Sequence, residues 1–176
     1  MDLIKEKTCC FTGHRKLASE EVRPLRIRIR EEVARLYEER GIDTFLAGGA
    51  LGFDTLAAEE VLLLRGGGMP IHLVLVLPCL EQADRWTSTE NDVYQRLIRD
   101  ADEVIYTADL YTPGCMHIRN RYMVNRSVYC LCYYKGRKRG GTAYTVGYAQ
   151  KQGLEIKNLV EGVVLDGTAA DQMSWG

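Results

Sequence analysis

Short apolar runs alternate with stretches of helical periodicity along this chain, from its first residues to about residue 160. Few architectures satisfy such a pattern. A strand, a crossover helix and a second strand build a parallel sheet, with helices on its faces and ligands outside the carboxyl ends of the strands. The run Ile71–Leu77 is nearly continuously apolar, as a strand covered on both faces must be. The expected fold is therefore α/β: one open, mostly parallel sheet of about six strands with helices on both faces. A chain of 176 residues suits a single domain. That domain is expected over residues 1–160, with a tail at 161–176 whose signals are weak and whose end is expected to lack order.

Periodicity and turn chemistry place the elements. Strands are expected at Thr8–Phe11, Ile42–Leu46, Ile71–Leu77, Val104–Tyr106, Ser127–Tyr134 and Leu154–Leu159. A first helix begins at Ser19, a good N-cap followed by Glu20 and Glu21, and ends at Gly41. Val22, Leu25, Ile29, Val33 and Leu36 give it one apolar face. Further helices are expected over Phe53–Arg65, from a Ser88 or Thr89 cap to Asp100, over Met116–Arg126 and over Ala143–Lys151.

Three of the strand-to-helix turns carry small residues. Phe45–Ala47 runs into Gly48-Gly49-Ala50-Leu51-Gly52-Phe53-Asp54 and then a helix. Strand, glycine turn and helix in that order make an anion site, because amides at a helix start are unpaired and glycine admits a phosphate close to them. A β-branched residue at Gly49 would block that approach. The match to the dinucleotide fingerprint is incomplete: Ala47 stands at its first glycine, and the next strand ends in Pro78 instead of an acidic residue. Asp54 is placed to accept from a ribose hydroxyl, or merely to complement the helix dipole. Thr12-Gly13-His14-Arg15 closes the first strand, and Gly140-Gly141-Thr142 opens the last helix. In a parallel sheet all three turns converge on one crevice.

Around that crevice, Arg15 and Arg119 are candidates for charge-assisted contacts to phosphate oxygens. Asn120 adds a donor beside Arg119. Arg119, Met123 and Arg126 share a helical face, although charge runs of this kind ordinarily face solvent. Trp86 or Tyr134 offers a ring to stack on a base, with core packing the alternative for Trp86. Arg137-Lys138-Arg139 reads as a solvated loop tip or a phosphate-recruiting one.

Composition narrows the function classes. Lys and Arg number 23 against 24 Asp and Glu, so no overall positive field points to nucleic acid or an anionic membrane. No apolar run approaches the span of a bilayer, and Met1–Lys7 is too mixed and charged for a signal peptide. Six cysteines without a C-x-x-C pair are expected to be reduced and buried in a cytoplasmic protein, with no metal. His72, at the amino end of its strand, is expected to be structural.

The set Thr12-Gly13-His14-Arg15, Gly48-Gly49-x-x-Gly52-x-Asp54, Pro78 with Trp86 downstream, Arg119-Asn120-x-x-Met123-Val124 and Gly140-Gly141-Thr142 resembles the SLOG superfamily. Within it, the chain looks like the small bacterial and phage proteins of the YpsA and YoqJ kind, over about Cys9 to Gln150. The resemblance implies a Rossmann-like fold, related to that of the cytokinin-activating phosphoribohydrolases and the competence DNA-processing proteins. It implies binding of a nucleotide or nucleotide-derived ligand, as a sensor or regulatory module, with no further cofactor; a homo-oligomer is compatible with it. The implied ligand-binding set is Thr12, Gly13, His14, Arg15, Gly48, Gly49, Gly52, Asp54, Trp86, Arg119, Asn120, Gly140, Gly141 and Thr142.

Two alternatives follow from the related branches. One is N-glycosidic hydrolysis of nucleotides. The phosphoribohydrolases carry a glutamate in a P-G-G-x-G-T-x-x-E turn, whereas Ala143-Tyr144-Thr145-Val146 follows Thr142 here, with no carboxylate. Glycosidic cleavage needs a group to activate water or steady the developing charge, and Asp54 is the candidate left to supply it. Binding is thus expected over turnover. The other alternative, ranked third, is single-stranded nucleic-acid binding.

Overall fold

The computed structural model describes residues 2–163 and residue 165; the end of the expected tail lies outside the described residues. Six strands form one wholly parallel sheet: β1 (Thr8–Gly13), β2 (Thr44–Ala47), β3 (His72–Leu77), β4 (Glu103–Tyr106), β5 (Tyr129–Tyr133) and β6 (Glu155–Asn158). Their spatial order is β4-β3-β2-β1-β5-β6. Five α-helices among the described residues make the crossovers: α1 (Ser19–Arg40), α2 (Phe53–Gly66), α3 (Ser88–Asp100), α4 (Cys115–Asn125) and α5 (Gly141–Lys151).

The chain winds outward from β1 to β4 and then returns to lay β5 on the other side of β1. Right-handed crossovers put the helices before and after such a return on opposite faces. The packing shows that division. Leu25, Ile29, Val33 and Leu36 of α1 share one core with Phe53 and Val61 of α2, Leu97 of α3, and Cys9, Phe11, Phe45, Leu73 and Leu75 of the strands. Met123 and Val124 of α4 and Ala143, Val146 and Ala149 of α5 pack on Cys10, Leu46, Val74, Val76, Cys130 and Cys132. Adjacent residues such as Cys9 and Cys10 serve opposite cores because side chains alternate along a strand.

β1 runs on beyond its apolar core. Pairing with β2 stops at Cys10 opposite Leu46, while pairing with β5 continues to Gly13 opposite Tyr133. Past that point the β1–α1 loop and the β5–α5 loop leave for opposite faces. This is the topological switch, and it places a crevice at the carboxyl edge beside Thr12 and Gly13.

Two caps differ from expectation. Ala18, not Ser19, occupies the α1 N-cap, and the Glu21 carboxylate accepts its amide at 2.8 Å. Thr87 caps α3 ahead of Ser88 and Thr89: its Oγ1 accepts from Glu90 N at 3.2 Å, and Glu90 accepts from Thr87 N at 2.9 Å. In both places the glutamate at the third helical position decides the start, because its carboxylate must reach back to the cap amide. Gly41 ends α1 at φ +67°, a left-handed conformation that suits glycine. All six cysteines are buried and free.

Candidate functional site

The first two turns interlock behind the crevice. A Cβ at Gly13 would run into the Phe53 ring, and one at Gly52 would run into the backbone of His14 and Arg15. Phe53 N donates to His14 O at 3.1 Å, so the first amide of α2 is already spent. Gly52, at φ +78°, makes that close approach possible.

The second turn is closed by its own carboxylate. Asp54 is buried, and it accepts from the amides of Ala50 and Gly48. Burial pushes its carboxyl up to about 6, against the opposing pull of the Arg119 guanidinium, these amides and Arg15. Gly48 fits because it has no side chain: a Cβ there would lie 2.5 Å from Arg119 Nη1 and 2.9 Å from Asp54 Oδ2. Gly49, at φ +68°, directs its Cβ position at Leu77 (2.7 Å) and the Tyr94 ring (3.1 Å), into the core and away from the crevice.

Arg119 rises from α4 beneath these turns, with only 3% of its surface exposed. Nη1 donates to the carbonyls of Gly48 and Val76, and Nε donates to Asn120 Oδ1 at 2.7 Å. Nη2 meets only the soft Met116 sulfur, at 3.7 Å. The guanidinium therefore braces β3 and the second turn through Nη1, is steadied on its own helix through Nε, and presents Nη2 to the crevice. Burial lowers its basicity, and Asp54 opposes that effect.

The third turn is open. Gly140 has φ +109°, and neither Gly140 nor Gly141 has anything within 4 Å of its Cβ position. No side chain caps α5, so its leading amides face outward with the positive end of the helix dipole. The preceding loop is tied at its root. Lys135 N donates to His14 Nε2 at 2.9 Å, and Lys135 Nζ pairs with Glu21, which also accepts from the Tyr133 hydroxyl at 2.8 Å. Accepting that amide requires His14 to be neutral at Nε2; burial, with Arg137 and Lys135 nearby, holds its pKa below the ordinary value. Beyond this root the loop carries Arg137 and Arg139 over the cavity.

The cavity so formed encloses about 210 Å³. Of the residues singled out from sequence, Thr12, Gly13, His14, Arg15, Asp54, Arg119, Asn120, Gly140, Gly141 and Thr142 line it. Gly48, Gly49 and Gly52 stand behind the wall and shape it. Trp86 lies outside, edge-on to Tyr94 with ring centroids 5.0 Å apart. Tyr134 packs beside His14, centroids 6.2 Å apart, and donates from its hydroxyl to Arg137 O. Sequence reasoning did not single out Phe11, Ala50, Met116 or His117, which also line the cavity. Met116 and His117 occupy the α4 turn just ahead of Arg119, and that position was their one available signal. The His117 ring lies 3.9 Å from that of Tyr144, centroid to centroid. Four arginines and one buried carboxylate thus surround a small polar space with a helix start aimed into it. Such an arrangement attracts anions.

Among the described residues, no three His, Cys, Asp or Glu side chains are grouped to hold a metal, and no helix is long and apolar enough to cross a membrane.

Sheet order and crevice define a Rossmann-like α/β protein with a cation-lined pocket at its topological switch. The family model described as the YspA SLOG family matches residues 10–164, and the chain belongs to that family. A UPF0398 protein of Halalkalibacterium halodurans is 31% identical over 124 residues, covering 69% of this chain and 65% of the relative. The SPbeta prophage-derived protein YoqJ of Bacillus subtilis is 31% identical over 119 residues, 61% of this chain and 69% of the relative. The chain thus spans about two thirds of the length of these relatives. Among solved structures, DNA processing protein A from Helicobacter pylori, described for its single-stranded DNA binding mode, superposes with a TM-score of 0.62 at 19% identity. That superposition covers 93% of this chain and 70% of that one, and it shows shared fold.

Proposed function

We propose that this protein binds the phosphate and ribose of a nucleotide or nucleotide-derived ligand in the cavity at the switch point, as a sensor or regulatory module. One observation carries the reading: Arg15, Arg119, Arg137 and Arg139 converge with the uncapped start of α5 on a space that holds a single carboxylate. Phosphate suits that combination, since guanidinium forks and helix-start amides both donate to it. The second turn supports the site in a different way from a phosphate loop. Its amides serve Asp54, so the anion is held by the first and third turns and the arginines.

Asp54 favours a second reading. A buried carboxyl with a raised pKa at a cavity wall is a form that catalytic acids and bases take, which keeps N-glycosidic hydrolysis in view. The fold shared with a protein described for binding single-stranded DNA supports a third.

Calorimetry of the full chain against nucleoside monophosphates, ADP-ribose and an oligonucleotide, at two salt concentrations, separates the three. Pocketed nucleotide binding should fall only modestly with salt, whereas binding along a strand should fall steeply. Arg139→Ala, at an exposed position, should weaken nucleotide binding by about ten- to a hundredfold if it makes a charge-assisted contact. Chromatography of the same mixtures for free base tests turnover. Unchanged affinity in Arg139→Ala, together with steep salt dependence on the oligonucleotide, would replace the nucleotide reading with the strand-binding one.

A further inference from the structure

The phosphate-and-ribose reading, on which this inference rests, gives His117 no part. This residue stands in the first turn of α4, a helix whose start has neither a side-chain cap nor an acidic residue. Its ring lies against Tyr144 in the first turn of α5, a buried side chain bonded to Arg121. The imidazole therefore sits between the two helix starts, at the wall of the arginine-lined cavity.

Its two nitrogens have different surroundings. Nδ1 is buried and has no hydrogen-bond partner among the described residues. Nε2 has no partner among them either, but it is not buried, and the ring lines the cavity. A neutral imidazole carries one proton. On Nδ1 that proton would make a buried donor with no acceptor, a rarer defect than a bare lone pair. The proton therefore sits on Nε2 and faces the cavity.

A second proton would have to go to Nδ1 and create the same orphan donor, now on a cation. Burial lowers the basicity of the ring. The positive start of α4 acts in the same direction, as do Arg15, Arg119, Arg137 and Arg139 in the shared cavity, and His14 there brings no negative charge. Asp54 is the one carboxylate lining it, and its oxygens accept from the Gly48 and Ala50 amides.

We propose that His117 binds the ligand: its neutral imidazole donates from Nε2 to a phosphate oxygen, beside the outward amides that open α5. The arginines supply charge to the site, and His117 supplies a donor of fixed direction, because its other nitrogen has no use for the proton. The contact forms without proton uptake.

The test is calorimetry of the full chain with AMP and ribose 5-phosphate, repeated for His117→Gln, His117→Asn and His117→Leu. A glutamine amide nitrogen reaches the place of Nε2, whereas the shorter asparagine amide reaches that of Nδ1. His117→Asn and His117→Leu should lose about tenfold in affinity for both ligands, and His117→Gln should recover most of it. The ratio of wild-type to His117→Gln affinity should stay level between about pH 8 and about pH 6. Nitrogen NMR of the imidazole should show an Nε2–H tautomer whose signal moves when either ligand is added. Thermal melts separate a lost contact from a lost fold, and the Gln–Asn comparison decides if His117→Leu does not fold. If Asn restores binding in place of Gln, if Leu matches the wild type, or if the ratio climbs as pH falls, the neutral Nε2 donor is overturned while the phosphate site stands. If neither ligand binds the wild type, the underlying reading falls and the role of His117 with it.

Discussion

Gly49 and Asp54 show how far a residue's role depends on where its neighbours point. From sequence, Gly49 clears a path for an anion; in the structure its missing Cβ makes room for Leu77 and Tyr94. Gly49→Val should therefore lower stability, by roughly 2–4 kcal/mol from the left-handed backbone and overpacking together. A denaturant titration would read this, and a variant of unchanged stability with weakened nucleotide binding would return Gly49 to the ligand. Asp54 makes a pH-dependent contribution whose sign runs opposite to that of most carboxylates. Its pKa is raised on folding from 3.8 to about 6, so the folded state binds the extra proton between those values. The stability it contributes is complete below about pH 3.8 and is lost as pH rises through about 6. Against Asp54→Asn, the wild type should lose up to about 3 kcal/mol of relative stability between pH 4 and pH 7, since each pKa unit is worth about 1.4 kcal/mol. Parallel pH profiles for the two proteins would contradict the burial of this group. The identity of these residues was legible in the sequence. The turning back of Asp54 onto the Gly48 and Ala50 amides was not, because a spacing rule does not distinguish an external anion from an internal one.

Among the elements, strands and helices were legible because their apolar periods are long and their stops are glycines. Less so were the parts of the site that elements deliver from far away in sequence. Arg119 belongs to a helix rich in donors, and a charge run there suggests a solvated face. Its partners Gly48 and Val76 are 71 and 43 residues distant, so nothing local announces that it is buried. The β5–α5 loop is a second case, since it reads as a solvated basic tip until its root is seen. Glu21 holds that root while also serving the cap of α1, and the bonds from Lys135, Ala18 and Tyr133 lower its pKa to about 2. Glu21→Gln keeps an acceptor for the Ala18 amide but loses the charged partner of Lys135, so it should cost about 1–2 kcal/mol at pH 7, the scale of a hydrogen bond to a charged group, and should speed amide exchange over residues 135–140. The lowered pKa places this contribution above about pH 4.5 and removes it as pH falls through 2, so the variant's deficit should vanish in strong acid. Unaltered exchange in the loop would show that Glu21 serves α1 alone.

At the scale of the molecule, the reversal at β1 governs both the site and the order in which the fold becomes possible. α1, α2 and α3 all cover one face of the β4-β3-β2-β1 half-sheet, and they are made along with it. The other face, with Cys10, Leu46, Val74 and Val76, is covered by α4 and α5 from the last third of the chain. During synthesis the first four strands can pair before anything exists to shield that surface, and β1 keeps an open edge until β5 arrives. A fragment ending at Gly114 should therefore hold strand and helix signal yet bind a hydrophobic dye far more strongly than the full chain does. Weak dye binding by a folded fragment would mean that the bare face is hidden some other way. Because Arg119, Asn120 and the start of α5 all arrive with that late cover, a nascent chain cannot hold an anion at the switch point until its apolar back is closed. The crevice is thereby assembled in the same step that covers the second face of the sheet.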